Sequence, residues 1–367
     1  MAISRETLSF NRRNRMRIKG VRFLFAASLI LAAGLTIFSC KAGNKSSDQT
    51  AGKNVPEKKS GPLIGFSIDT LAIERWQRDL DVFMARAKEL GADVIVQNAG
   101  NSSEEQAKQI AYLSERDVDV LVVLPKDSLS LTECLEKVQQ RGIPVISYDR
   151  LILQEPVSLY MTIDSEQVGA FMAKEMLGRT SAKSWYCILG PQEDYNMEMI
   201  LSGFEPVIKE KGIKIEEIFY TEGWNYDKSR QKMVDLMADG IIPEVIVCGN
   251  DAIADSVINA LIDFYPERRV HICGQDADIA ACQNIVRGRQ DFTIYKPIGH
   301  LARLTAETAV SIAKGTKPAE ISEITGSIDN GYTDVPAIKL EPEVVDAHNM
   351  DEVIIGSGFH TRNEVYR

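Results

Sequence analysis

The sequence contains few of the residues from which metal sites and redox centres are built. Its four histidines and six cysteines are scattered along 367 residues, and no two cysteines form a C-x-x-C pair. We therefore expect no bound metal, no other cofactor and no thiol redox chemistry. Five cysteines follow Cys40, an odd number that cannot all pair within one chain. Three of the five lie in apolar, strand-like segments, where thiols behave as small buried hydrophobic groups.

Motifs of phosphate binding and catalysis are also missing. The sequence has no GxGxxG, P-loop, G-x-S-x-G or H-E-x-x-H segment, so we expect a binding protein and not an enzyme. The formal net charge of −10 disfavours a nucleic-acid partner, since the phosphate backbone requires a basic face. The apolar run at residues 23–38 has 16 residues, whereas a membrane-spanning helix needs about 20.

The charge is unevenly distributed along the chain. Residues 1–39 contain seven basic residues and one acidic residue, which leaves 35 basic and 51 acidic residues in the remaining 328. A basic start followed by a short apolar run is typical of a secretory signal peptide. The run ends in Ser39-Cys40, which resembles a bacterial lipobox and implies a cleaved lipoprotein signal at 1–39 with lipidation at Cys40. An uncleaved signal anchor is the alternative, and both predict a folded part outside the cytoplasm.

The remainder divides into a tether and two globular parts. Residues 40–61 have no apolar periodicity and are rich in Lys, Ser, Gly and Asn, which indicates a flexible tether. From residue 62 onward, short apolar runs alternate with amphipathic segments, a pattern that predicts parallel sheets covered by helices. The series restarts near residue 163, so we predict an N-terminal lobe at 62–162 and a C-terminal lobe at 163–296, each a doubly wound α/β unit.

Polar or aromatic side chains follow almost every predicted strand. Ligands of open α/β sheets bind beyond the carboxyl ends of the strands, so these side chains are the candidate binding residues. Each position alone is also explained as a helix cap or turn residue, and Trp76 fits the apolar stripe of its helix. Together, however, Asp, Asn, Arg and Lys supply paired hydrogen bonds for vicinal hydroxyls, and an indole supplies a flat surface for C–H groups. This combination indicates a sugar site.

Several of these segments resemble the periplasmic xylose-binding proteins of ABC importers. They occur in the same order from about residue 62 to the end and include Glu74-Arg75-Trp76, Tyr148-Asp149-Arg150, Gly223-Trp224, Gly249-Asn250-Asp251-Ala252, Gly274-Gln275-Asp276-Ala277-Asp278 and Tyr295-Lys296-Pro297-Ile298. The resemblance implies a type I periplasmic-binding-protein fold, in which a three-segment hinge joins two doubly wound parallel-sheet lobes. It adds about 297–325 to the N-terminal lobe and about 326–367 to the C-terminal lobe.

The resemblance also implies a set of sugar contacts. Trp76 and Trp224 would sandwich a pyranose ring, and the other residues would bond its hydroxyls and ring oxygen. The implied set is Arg75, Trp76, Asp149, Arg150, Asp194, Asn196, Trp224, Asn250, Asp276 and Lys296.

The leading hypothesis is an extracytoplasmic, lipid-anchored, monomeric solute-binding protein. It would capture D-xylose or a close aldopentose and deliver it to an ABC permease. A sugar-sensing subunit that presents bound xylose to a membrane histidine kinase or chemoreceptor is the alternative, and the sequence does not separate the two. A repressor effector domain is disfavoured because residues 1–61 carry a signal and tether in place of a helix-turn-helix.

Overall fold

The computed structural model describes residues 61–367. The expected signal peptide, the lipidated Cys40 and the tether up to residue 60 lie outside these residues. None of the helices in the described part is both long enough and apolar enough to cross a membrane.

Strands and helices alternate through most of the described chain. The strands are β1 (Leu63–Ile68), β2 (Asp93–Asn98), β3 (Val120–Leu124), β4 (Val145–Tyr148), β5 (Leu159–Ile163), β6 (Ser184–Leu189), β7 (Lys214–Tyr220), β8 (Val245–Cys248), β9 (His271–Gln275), β10 (Phe292–Tyr295), β11 (Gly326–Asp329), β12 (Asp334–Leu340) and β13 (Glu343–Val345). The helices are α1 (Glu74–Glu89), α2 (Ser103–Glu115), α3 (Thr132–Gln140), α4 (Ser165–Arg179), α5 (Tyr195–Glu210), α6 (Tyr226–Ala238), α7 (Asp251–Phe264), α8 (Ile279–Val286), α9 (Ile298–Ala313) and α10 (Arg362–Val365).

The strands form two sheets, one in each lobe. The first sheet has seven strands in the order β11-β12-β5-β4-β3-β1-β2, and the second has six in the order β13-β10-β9-β8-β6-β7. All neighbours run parallel except β11 with β12 and β10 with β13. Central strands such as β3 and β8 are completely buried, because helices cover both faces of a parallel sheet. The predicted fold of two parallel-sheet α/β lobes is confirmed.

The chain crosses between the two sheets three times. The crossings lie between β5 and α4, between β10 and α9, and between β12 and β13.

The assignment of residues from about 326 onward to the C-terminal lobe is wrong for residues 326–340. Strand β12 pairs in parallel with β5, and β11 pairs with β12. Without β12, strand β5 would be an unpaired edge of the first sheet. Val335 and Ala337 of β12 also pack in the buried core on one face of that sheet. The third crossing therefore lies at residues 341–342.

Helices α4 and α5 touch backbone to backbone in the C-terminal lobe. A Cβ atom on Gly169 would lie 1.8 Å from the Ile200 carbonyl oxygen, and one on Gly203 would lie 1.8 Å from the Glu166 carbonyl oxygen. Real Cβ atoms do not approach backbone atoms so closely. The two glycines therefore set the distance between these helices, and the core between them and the second sheet depends on that distance.

We expect Gly203→Ala to lower the free energy of unfolding by about 1–3 kcal/mol, because the added methyl group must push α4 away from α5. Chemical denaturation with urea measures the change. Gly178→Ala is the matched control: Gly178 lies in α4, a Cβ there meets nothing within 4 Å, and alanine improves helix propensity by up to about 1 kcal/mol. Equal effects of the two substitutions would contradict this account of the crossing.

Candidate functional site

The residues that follow the strands of both sheets meet around one cavity between the lobes. The space between the lining atoms is about 320 Å³, including the part that is open to solvent. All ten side chains named from the sequence line it: Arg75, Trp76, Asp149, Arg150, Asp194, Asn196, Trp224, Asn250, Asp276 and Lys296. Ile73, Met197 and Gln275 line it as well, and the sequence reasoning did not select them. Contact of the ten predicted residues with a sugar stays a prediction.

The N-terminal lobe contributes the first turn of α1 and the turn after β4. Trp76 is 4% exposed and packs in the core of this lobe, so it occupies the apolar stripe of α1 and the cavity wall at once. Its indole lies beneath two cations, since the guanidinium carbons of Arg75 and Arg150 are 4.4 and 5.5 Å from the ring centroid. Cations over an aromatic face are electrostatically favourable, and they fix the orientation of the indole.

Arg150 connects the two lobes through buried ion pairs. Its Nη1 donates to Asp69 Oδ2 at 2.7 Å and to the Pro125 carbonyl at 3.0 Å, both in the N-terminal lobe. Its Nε lies 2.7 Å from Asp194 Oδ2 in the C-terminal lobe. Burial raises the pKa of Asp194 above its usual value, while the charge of Arg150 acts in the opposite direction. A planar guanidinium suits this task because its donors point in several fixed directions.

Arg75 forms the second buried connection. Its Nη2 donates to Asp149 Oδ2 in its own lobe, and its Nη1 lies 3.7 Å from Asp276 Oδ1 in the other lobe. On its far side, Nε lies 3.7 Å from Asp79. Burial raises the pKa of Asp79 to about 7, although Arg75 and a hydrogen bond from Tyr148 oppose the shift. Arg75 is therefore surrounded by carboxylates from both lobes.

Asp149 is shared among donors from both lobes. Asn196 Nδ2 from the C-terminal lobe donates to Asp149 Oδ1 at 2.7 Å. Burial alone would raise the pKa of Asp149, but the nearby cations Arg75, Lys296 and Arg150 hold it below its usual value. Asp149 is therefore an ionised hydrogen-bond acceptor at the centre of the cavity wall.

The turns that carry Asp149 and Asp276 have unusual backbones. Their φ angles are 61° and 100°, a left-handed region that costs a non-glycine residue about 1–3 kcal/mol and persists only where the surroundings enforce it. The Asp149 carbonyl accepts hydrogen bonds from Tyr160 Oη at 2.9 Å and from Thr162 Oγ1 at 2.7 Å. These bonds from the adjacent strand β5 hold the turn and aim the Asp149 side chain into the cavity.

Two residues of the C-terminal lobe have a helix-capping role as well as a place in the cavity wall. Asp194 accepts a hydrogen bond from the Asn196 amide at the start of α5, and Asn250 accepts one from the Ile253 amide at the start of α7. Asp194 and Asn250 therefore cap helices, as residues of these types often do after a strand, and also line the cavity. Lys296 follows β10 at the second lobe crossing, and its Nζ lies 2.8 Å from Asp276 Oδ1.

Trp224 is half-buried, lines the cavity and packs against the core of the C-terminal lobe. Both Gly223 and Trp224 have left-handed backbones, with φ angles of 61° and 55°. The indole rests directly on Gly190, where an added Cβ would come within 2.3–2.8 Å of three ring carbons. Gly190 directly follows β6 and has no side chain, which leaves the space that the ring of Trp224 fills.

The chemistry of the cavity fits a neutral molecule with many hydroxyl groups. Its lining carries three cations (Arg75, Arg150 and Lys296) and three carboxylates (Asp149, Asp194 and Asp276), so the formal charges cancel. The buried side-chain oxygens of Asn196 and Gln275 have no hydrogen-bond partner among residues 61–367. Buried acceptors of this kind call for a donor, such as a ligand hydroxyl. No three His, Cys, Asp or Glu side chains in the described part are grouped as metal ligands.

The lobes also touch at the rim of the cavity. Lys126 Nζ lies 3.1 Å from Glu193 Oε1, and Asn101 Nδ2 donates to the Gly223 carbonyl at 3.3 Å. Each contact joins the N-terminal lobe to a residue next to a cavity-lining side chain of the C-terminal lobe. The cavity is therefore closed by direct contacts between the lobes.

Comparison with known sequences supports the same architecture. A family model described as the periplasmic binding protein domain matches residues 64–317. The chain is 34% identical over 346 residues to a D-xylose-binding periplasmic protein of Haemophilus influenzae, covering 93% of this chain and 98% of that protein. It is also 34% identical over 317 residues to the protein of the same description from Escherichia coli, covering 85% and 95%.

Among solved structures, an ABC transporter solute-binding protein from Clostridium phytofermentans with bound β-D-glucose is similar. The TM-score is 0.75 and the sequence identity is 30%, with 83% of this chain and 99% of that chain covered.

Proposed function

The chain belongs to the periplasmic binding protein family, and we propose that it captures D-xylose or a close aldopentose between its lobes and delivers it to an ABC permease. The observation that carries the proposal is the meeting of all ten candidate side chains around one interlobe cavity. The relatives described as D-xylose-binding proteins, which match nearly the whole chain, support the choice of sugar.

The balance of charge supports a neutral sugar over a charged derivative. Three cations and three carboxylates line the cavity, and the cations are already paired: Arg75 with Asp149, Arg150 with Asp194, and Lys296 with Asp276. A sugar phosphate or sugar acid would add an unpaired charge to a buried space, which is unfavourable. A neutral hydroxyl can donate to a carboxylate or accept from a cation, so a pentose satisfies both kinds of group.

Ligand binding between lobes provides the signal for delivery. A sugar that bonds to both lobes stabilises the closed arrangement in proportion to its differential affinity for the closed and open forms. The family moves by hinge closure around its ligand, and the three crossing segments provide that hinge here. A permease that contacts both lobes then distinguishes loaded from unloaded protein.

Localisation outside the cytoplasm, with a lipid anchor at Cys40, completes the proposal. The basic and apolar segments of residues 1–39 support export, and the relatives are described as periplasmic. A tether of about 20 residues would let the binding protein reach its permease while it stays at the membrane.

Growth of cells with radiolabelled palmitate tests the anchor. Wild type should incorporate the label and Cys40→Ala should not, because the variant lacks the thiol that would carry the lipid. A wild-type protein without label would contradict the lipid anchor.

A thermal-shift panel of monosaccharides on the full-length protein in detergent tests the proposed ligand. A ligand that binds only the folded state raises the midpoint of unfolding, so D-xylose should raise it while ribose, glucose and galactose raise it less or not at all. Xylonate is the matched control for charge, since it adds a carboxylate to the same carbon chain and should give no shift. An absence of any shift with every monosaccharide would overturn the proposal.

Trp224→Ala should weaken xylose binding by about 1–3 kcal/mol, because it removes a large aromatic surface from the cavity. Gly190→Ala should act in the same direction with the indole still present, since its methyl group would occupy the space of the ring. Trp224→Phe keeps a flat aromatic face and should lose less. Isothermal calorimetry measures all three, and a wild-type dissociation constant for Trp224→Ala would rule out stacking by this residue.

A further inference from the structure

Asp251 is a buried carboxylate directly behind the cavity. It is 1% exposed and follows the cavity-lining Asn250 at the first turn of α7. Sequence reasoning explains Asp251 as a helix cap, but the side chain that caps α7 is that of Asn250. Asp251 itself does not line the cavity. Its carboxyl group therefore neither caps α7 nor lines the cavity, and it has other hydrogen-bond partners.

Three donors from other parts of the C-terminal lobe converge on this carboxylate. Gln290 Nε2 donates to Oδ1 at 2.9 Å, and Thr293 Oγ1 donates to Oδ2 at 2.7 Å. The backbone amide of Asp278 donates to the same Oδ2 at 3.2 Å. No Lys, Arg or His in the described part forms an ion pair with Asp251. Burial without a neighbouring cation raises the pKa of Asp251 well above its usual value, and neutral hydrogen bonds are the contacts that hold this carboxyl group.

The Asp278 amide belongs to a turn that would otherwise be strained. Asp276 and Ala277 both have left-handed backbones, with φ angles of 100° and 56°. Such a conformation at two successive non-glycine residues persists only when the surroundings over-determine it. The Ala277 amide is bound by Thr293 Oγ1 at 3.3 Å, and that hydroxyl in turn donates to Asp251. One carboxylate and one hydroxyl therefore hold both amides that follow Asp276.

The close approach of the chain at Gly274 belongs to the same arrangement. A Cβ on Gly274 would lie 2.3 Å from Asp251 Oδ1, so the carboxylate lies against the bare backbone of β9. This contact places Asp251 between the end of β9 and the start of β10. These two strands lead to Asp276 and Lys296, the ion pair in the cavity wall.

We propose that Asp251 is a positioning residue that holds the 276–278 turn and thereby aims the Asp276 carboxylate at Arg75, Lys296 and the bound sugar. The sugar part of the proposal rests on the proposed function. Without Asp251 the turn loses its anchor to α7 and relaxes from its left-handed backbone. Asp276 then samples orientations that neither bond the sugar nor face Arg75 across the cleft.

Two substitutions remove the anchor without touching the cavity. Asp251→Asn keeps the shape but replaces one acceptor oxygen by a donor, and Thr293→Val keeps the branched shape but removes the hydroxyl. Each should weaken D-xylose binding by about ten- to a hundredfold, which corresponds to leaving a buried polar group without its hydrogen-bond partner. Thr293→Ser retains the hydroxyl and should bind within a few fold of wild type. Calorimetry on the full-length protein measures these affinities.

Asp255→Asn is the matched control. Asp255 lies one turn further along α7, and its Oδ1 accepts from Asn284 Nδ2 of α8 at 2.9 Å. The substitution replaces one acceptor oxygen of Asp255 by a donor beside α8 but leaves the 276–278 turn anchored. We expect a lower midpoint of unfolding for Asp255→Asn with unchanged affinity. If Asp255→Asn and Asp251→Asn weaken binding equally, the effect is general stability and the proposal fails.

Amide hydrogen exchange tests the anchor without any sugar. The amides of Ala277 and Asp278 should exchange at least tenfold faster in Asp251→Asn and Thr293→Val than in wild type, and at the wild-type rate in Asp255→Asn. Unchanged exchange in the first two variants overturns the positioning role whatever the ligand. If exchange changes as expected but the wild-type protein binds no monosaccharide, the anchor stands and the proposed function fails. If exchange changes while the variants keep wild-type affinity for xylose, the turn does not control binding and the proposal is wrong.

Discussion

Two buried guanidinium groups, Arg75 and Arg150, need carboxylates that come from both lobes. Arg150 is bonded to Asp69 in its own lobe and to Asp194 in the other, and Arg75 likewise has a carboxylate on each side of the cleft. Removing one partner of a buried pair leaves a charge without compensation, which is strongly unfavourable. Closure of the lobes therefore completes two sets of ion pairs at once, and each set keeps one carboxylate when the lobes separate. Separation of the lobes would therefore leave each guanidinium paired with a carboxylate of its own lobe.

This arrangement also explains why the cavity wall lies on turns with unfavourable backbones. Asp149, Trp224 and Asp276 all have left-handed φ angles, so each side chain leaves the segment after its strand in a direction that a regular strand-to-helix turn does not provide. The strain is offset by hydrogen bonds from neighbouring strands, as in the bonds from Tyr160 and Thr162 to the Asp149 carbonyl. The rigid sheets thus fix the positions of the cavity-lining side chains, and the backbone of the turns fixes the directions in which they point.

The alternation of strands and helices and the cavity-lining residues follow from sequence patterns because two rules act locally. Apolar runs form buried parallel strands, and the residues after them meet at one edge of the sheet. Gln275, the last residue of β9, was missed as a lining residue although it stands next to Asp276. The sequence does not show which of two neighbouring side chains at a strand end faces the cavity. The lobe that receives β12 was also misassigned. Strand pairing at a sheet edge is a long-range choice, and the apolar pattern of Val335 and Ala337 fits the edge of either sheet.

Lys296 lines the cavity next to a segment that crosses between the lobes. It follows β10 and immediately precedes the segment that crosses to α9, so it lies at the pivot and not at the rim of the cleft. Rotation of the lobes moves a residue at a pivot less than one at the rim, and its ion pair with Asp276 stays within one lobe. Arg75 approaches the same Asp276 oxygen from the other lobe. Asp276 therefore has one cation in its own lobe and a second in the other lobe, and under the proposed function its orientation would couple lobe closure to ligand binding.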